Sequence, residues 1–145
     1  ADPQDEMSTP PASAFRTTNP PALGEPLGSY SQILEAPAGS ALVFLSGQTP
    51  RRDDGSIPAD FAQQAELVWQ RIATALQAVD LTPAHICRVV TYLTDASDAP
   101  THARIRSHYL GSARPSSTGV VVPALFHPDY RIEVEVTAAR PPGSP

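Results

Sequence analysis

From Phe61 to Val79 an apolar side chain returns every third or fourth residue, at Phe61, Ala65, Val68, Trp69, Ile72, Leu76 and Val79. That spacing draws one stripe down a helix, and the stripe needs a second layer to bury it. Asp60 is a suitable N-cap, with Gln63 as its capping-box partner. The last apolar run has another period. Ile132, Val134, Val136 and Ala138 alternate with Glu133, Glu135 and Thr137, so one face of a strand is apolar and the other polar. A helical stripe and an alternating strand within 145 residues predict a single α+β domain with a helix layer on a sheet.

Shorter runs fill in the order. Ser31–Glu35 and Ala41–Ser46 flank Pro37-Ala38-Gly39-Ser40 and read as a hairpin. Thr82-Pro83 starts a short turn, Cys87–Leu93 reads as a strand, and Thr101–Leu110 as a helix stopped by Gly111. Thr118–Val122 and Arg131–Ala139 complete a β-β-α-β-α-β-β order, with two helices on one face of a mixed sheet. Both alternating sets of Ala41–Ser46 are apolar, as is all of Val120–Val122, so the second face also wants cover, which copies of the chain would supply. Residues 1–19, rich in Pro, Ala, Ser and Thr, read as a flexible leader, 20–140 as the domain and 141–145 as a flexible tail. Met7 is a candidate natural start, which would make residues 1–6 an addition.

Composition narrows the chemistry. A net charge of −5 and a pI near 5.2 offer no footprint for a polyanion, so no nucleic-acid partner is expected. No run is long and apolar enough for a bilayer, and the single cysteine, Cys87, excludes an internal disulfide; the expected place is the cytoplasm. All ten basic residues are arginine, which removes Schiff-base chemistry on lysine. No phosphate-binding glycine loop and no Cys/His metal spacing is present, so neither cofactor nor metal is expected.

Glu133 and Glu135 share a strand face, where a carboxylate with a raised pKa suits proton transfer; the plainer reading is a solvated strand edge. In Ser46-Gly47-Gln48 the glycine lets backbone approach a ligand and the serine can hold an oxygen, though strand-end serines usually form turns. Ser116-Ser117-Thr118 after Pro115 has the same two readings, and Tyr30 is as readily packing as chemistry. His85, His102, His108 and His127 are expected at surface or capping positions, and Cys87 as a small buried hydrophobe.

In order, Gly28-Ser29-Tyr30-Ser31-Gln32, Phe44-Leu45-Ser46-Gly47-Gln48, Gln64-Ala65-Glu66, Val90-Thr91-Tyr92-Leu93-Thr94-Asp95, Pro115-Ser116-Ser117-Thr118 and Ile132-Glu133-Val134-Glu135 resemble the reactive-intermediate deaminase family, RidA-like or YjgF-like. The resemblance runs from about Pro20 to Ala139. It implies a chorismate-mutase-like fold, a homotrimer, and cofactor-free hydrolysis of enamine or imine intermediates of small molecules in clefts between subunits. It further implies that Glu133 positions the attacking water and that Tyr30 and Ser46 line the cleft, with Gly47, Gln48, Ser117 and Thr118 alongside. The family has Pro-Ala-Arg-Ser where this chain has Pro115-Ser116-Ser117-Thr118. Serine cannot reproduce a bidentate arginine–carboxylate pair. The expected specificity is therefore altered, with Arg114 or Arg131 as candidate replacements and Arg71 and Ser29 as further departures. The alternatives are a non-catalytic metabolite-binding protein, a ribonuclease, disfavoured by the acidic charge, and a chorismate-type reaction, disfavoured by the lost cation.

Overall fold

Helix α1 (Phe61–Gln77) forms where the stripe predicts it, and Phe61, Ala65, Val68, Trp69, Ile72 and Leu76 are all buried. The structure, a computed structural model, describes residues 14–143. Asp60 caps the helix, its Oδ2 accepting from the Gln63 N–H at 3.0 Å, without the reciprocal side-chain bond of a full capping box. At the other end Asp80 takes a positive φ of 59°, and the Leu81 and Asp80 N–H groups donate back to the Leu76 and Gln77 carbonyls at 2.9 and 3.0 Å. This is a Schellman stop built on aspartate, one of the few side chains that tolerates that conformation. It turns Val79, expected in the stripe, out to 40% exposure and buries Leu81 instead.

Besides three short 3-10 turns, at Pro21–Leu23, Pro83–His85 and Ala96–Asp98, the remaining elements are β1 (Arg16–Thr18), β2 (Ile33–Glu35), β3 (Ala41–Phe44), β4 (Ile86–Leu93), α2 (Ala99–Leu110), β5 (Ser116–Val121) and β6 (Ile132–Arg140). The main sheet has the order β3-β6-β4-β5, with β4 and β5 parallel and the other pairs antiparallel. Parallel neighbours need a crossover, and α2 provides it. Ile132, Val134, Val136 and Ala138 of β6 are buried beneath α1, so the period-two reading of that strand holds.

Two expectations change. Ser31–Glu35 and Ala41–Ser46 do not form a hairpin: β2 pairs with β1 in a separate two-stranded ribbon, and β3 pairs with β6. Pairing with β6 buries the inward Val43 against the core, which pairing with the exposed β2 would not do. Arg16–Thr18, read as leader, is a strand because β2 offers it a backbone ladder; residues 1–13 of the expected leader and 144–145 of the expected tail lie outside the described residues.

Buried polar groups fasten the layers. Gln64, 1% exposed, donates through Nε2 to the Pro58 and Asp129 carbonyls at 2.8 and 2.9 Å and accepts from the Arg131 N–H at 2.9 Å. His85 caps its own turn, Nδ1 accepting from the Thr82 N–H at 3.1 Å, and His127 does likewise for Asp129 at 3.0 Å, while His108 is exposed. His102 is not at the surface. It is 2% exposed, accepts from Trp69 Nε1 at 3.1 Å and lies 6.2 Å from the indole in a stack, because an indole N–H buried in the core needs an acceptor. Burial holds its pKa down at about 4.

The sheet face away from the helices is uncovered within one chain: Leu42, Phe44 and Val120 are 59%, 73% and 42% exposed. No helix among the described residues is long and apolar enough to cross a membrane.

Candidate active site

Beyond β3 the chain meets β6 again at Gln48, whose N–H donates to the Val134 carbonyl at 2.8 Å while its own carbonyl accepts from the Val134 N–H at 3.2 Å. This places Gly47 against Glu133. A Cβ on Gly47 would lie 2.1 Å from Glu133 Oε2 and 2.9 Å from Cδ, so the glycine is there for close approach. Gln48 Nε2 donates to the Ser46 carbonyl at 3.0 Å and Oε1 accepts from Arg71 Nε at 3.3 Å, which steadies the bend. Ser46, Gly47, Gln48 and Glu133 thus come together.

The two carboxylates of this face differ. Tyr92, opposite Glu133 on β4, donates its hydroxyl to Glu135 Oε1 at 3.1 Å. Glu133 faces Gly47, and partial burial, then the neighbouring Glu135 charge, raise its pKa above the ordinary carboxylate range. A carboxylate so raised is a better proton acceptor from water. Arg88 lies on the same face, next to a bulge at Cys87 that breaks the β4 register. Period-two alternation through β4 was the signal for Arg88 and Tyr92, neither of which the sequence reading singled out chemically. Burial raises the Cys87 thiol pKa and Sγ donates to the Thr137 carbonyl at 3.2 Å, in keeping with a structural cysteine.

A second group forms elsewhere. The Ser31 N–H donates to the Pro115 carbonyl at 3.0 Å, and the Ser29 and Ser107 hydroxyls lie 2.6 Å apart, pinning the segment around Tyr30 to α2 and to the start of β5. Tyr30 accepts from the Leu27 N–H at 3.2 Å. Ser117 pairs with the buried Val89 and so faces the helix layer, whereas Thr118 pairs with Val90 and shares the open face with Glu135. Ser117 and Glu133 therefore project from opposite faces of one sheet. Tyr30, beside Pro115, and Glu133, level with Val120, are separated by about 15 Å of strand.

The two arginines named as replacement cations are engaged. Arg114 Nη1 donates to the Gly111 and Ala113 carbonyls, both at 2.8 Å, closing the end of α2. Arg131 Nη2 meets both oxygens of Asp98 at 2.9 and 2.8 Å, with its guanidinium 5.2 Å from the centre of the Phe61 ring. An open groove of about 640 Å³ between α1 and the 52–53 loop reaches Gln48 and Arg71 but not Glu133.

The family model described as Endoribonuclease L-PSP matches residues 19–140. A relative from Escherichia coli (strain K12), named as reactive intermediate deaminase TdcF, is 28% identical over 118 residues, covering 79% of this chain and 88% of the relative. Protein HMF1 of Saccharomyces cerevisiae is 29% identical over 98 residues, covering 67% of this chain and 74% of that protein. Among solved structures, a Rid-family protein of unknown function, YyfB from Yersinia pestis, superposes with a TM-score of 0.79 at 24% identity, over 88% of this chain and 99% of its own. Escherichia coli TdcF with bound serine gives 0.65 at 28% identity, over 86% and 94%. Its fold and this family match agree with the order of motifs: the chain belongs to the Endoribonuclease L-PSP family, the RidA/YjgF-like proteins.

Proposed function

We propose that this RidA-like protein hydrolyses a small imine or enamine to the carbonyl compound and ammonia, in clefts where the Ser46–Gln48/Glu133 group of one copy meets the Tyr30/Ser117 group of another. The observation that carries the reading is the division of the site: two polar groups on opposite faces of one sheet, too far apart to serve one small molecule. The apolar side chains left open beside Glu133 are cover for a copy, and a closed ring of three, as the resemblance implies, gives every copy one cleft on each side.

In this cleft the Glu133 carboxylate accepts a proton from water as the oxygen attacks the imine carbon. The proton then passes to nitrogen to give a carbinolamine, whose hydroxyl proton follows to the same nitrogen by way of the carboxylate as the C–N bond breaks, so that ammonia and a C=O group leave and both hydrogens of the water are accounted for. Gly47 keeps the carboxylate accessible and Tyr30 offers a hydroxyl from the other side. With Ser117 where the family resemblance implies an arginine, a substrate carboxylate is not gripped from β5, which alters specificity. The net charge of −5 provides no steering of RNA, so the ribonuclease in the family's description is not the activity proposed here. Binding without turnover is the second reading, favoured by the relative TdcF, whose structure holds serine.

The test is ammonia release from freshly generated 2-iminobutyrate with Glu133→Gln as control. Release above the uncatalysed rate that disappears in the variant supports hydrolysis; full activity in the variant refutes the assigned role of Glu133. Stoichiometric recovery of an unchanged ligand with no turnover would favour the binding protein.

A further inference from the structure

Arg106 stands out among the cations. It sits on α2, half-buried, with a terminal nitrogen 3.4 Å from where a Cβ on Gly28 would be, directly before Ser107, which ties Ser29 to the helix. Among the described residues its Nε is buried with no hydrogen-bond partner, as is that of Arg140, which however donates through Nη2 to the Val79 carbonyl, and neither ion pair there, Arg71–Asp53 or Arg131–Asp98, includes Arg106. A half-buried guanidinium with unspent donors is costly unless an anion completes it. Burial lowers its pKa, as for a cation without a counter-ion, and the nearby Tyr30 acts in the other direction.

Its position matters as much as its state. Arg106 belongs to the helix layer, the side of the sheet toward which Ser117 points, and lies beside the Tyr30 turn, where the Ser31 N–H donates to the Pro115 carbonyl just before β5. Arg114 and Arg131 are committed to carbonyls and to Asp98. We infer that Arg106 is the residue that holds the anionic group of the ligand, reaching from α2 into the Tyr30/Ser117 half of the cleft. This inference rests on the proposed cleft and deepens it: with Ser117 on β5, the grip on an anionic group of the ligand comes from α2. The planar guanidinium receives it two donors at a time, from a different direction than an arginine at position 117 would.

The experiment combines calorimetric titration of 2-oxobutyrate with turnover of 2-iminobutyrate, for the wild type, Arg106→Ala, Arg106→Lys and Arg104→Ala. Arg106→Gln serves where the alanine variant does not fold. Loss of charge-assisted hydrogen bonds should weaken 2-oxobutyrate binding and raise KM by about 10- to 100-fold in Arg106→Ala. Arg106→Lys should recover part of the loss, and Arg104→Ala, which removes an equal charge from the same helix, should stay within about twofold. Wild-type affinity in Arg106→Ala, or no binding of 2-oxobutyrate by the wild type, would overturn the assignment. Arg106-dependent binding without turnover would instead refute the hydrolase reading while leaving Arg106 in place.

Discussion

Gly47→Ala is the sharpest probe of the candidate site, because it adds one methyl group at the closest approach in it. The new Cβ would lie 2.1, 2.9 and 3.1 Å from Oε2, Cδ and Cγ of Glu133, so the whole end of that side chain is displaced, not one atom. Restoring ordinary contact takes a retreat of about 1 Å or a change of rotamer. Gly47 is not among the positive-φ glycines, so alanine fits its backbone and the domain should fold with little loss of stability. A general base misplaced by about 1 Å loses on the order of 100-fold in rate. The assay is kcat on 2-iminobutyrate beside a thermal melt, for Gly47→Ala, Glu133→Gln and the double variant. The expected result is an unchanged melt, a loss of about two orders of magnitude, and no further loss when the changes are combined, since both act on one carboxylate. Undiminished turnover in a folded Gly47→Ala protein would refute the idea that the position of Glu133 matters.

Glu135 helps to raise the Glu133 pKa, so Glu135→Gln should move the acid limb of the kcat/KM profile to lower pH; an unmoved limb means that Glu133 is not the titrating base. His102, held at about 4 against an ordinary 6.5, stays neutral in the fold where the unfolded chain takes up a proton. Stability should therefore fall as pH drops from 6.5 to 4, by about 3 kcal/mol, and level off below; urea titrations of wild type against His102→Gln should show this as a difference confined to that window. Gln64→Ala strands the Pro58 and Asp129 carbonyls and the Arg131 N–H and should cost about 3 kcal/mol in chemical denaturation; a loss under about 1 kcal/mol would mean that water replaces the amide.

What could be read from the sequence was whatever burial writes into a period. The α1 stripe and the β6 alternation are such cases, because each element buries a single face, and both stand in the structure with shifts only at their ends. Arg16–Thr18 carries no such mark: its strand rests on backbone bonds to β2, which any side chains permit. The hairpin expectation failed for a related reason, since a turn-forming sequence says that the chain reverses and not which strand it then joins. The Schellman stop was hidden because it uses aspartate in place of glycine. His102 was misplaced because its partner, Trp69, lies on another helix. In the site, the carboxylate pair and Ser46-Gly47-Gln48 were visible as separate signals, but the contact between Gly47 and Glu133 arises only when β6 and the segment after β3 lie side by side. Arg106 looked like any basic residue of a helix; what distinguishes it is its unpartnered state, a property of the packing around it.

On the proposed cleft between copies, a chain can be rescued by a differently damaged copy of itself. Glu133→Gln spoils one half and Ser117→Trp obstructs the other, so each variant alone has no intact cleft. Unfolded together and reassembled at equal amounts into the proposed rings of three, every mixed ring should regain one intact cleft, and bulk activity should return to about one quarter of the wild type. Restoration by mixing would mark the boundary between copies as the place where the two halves meet, and its absence would refute the pairing of these two groups in one cleft.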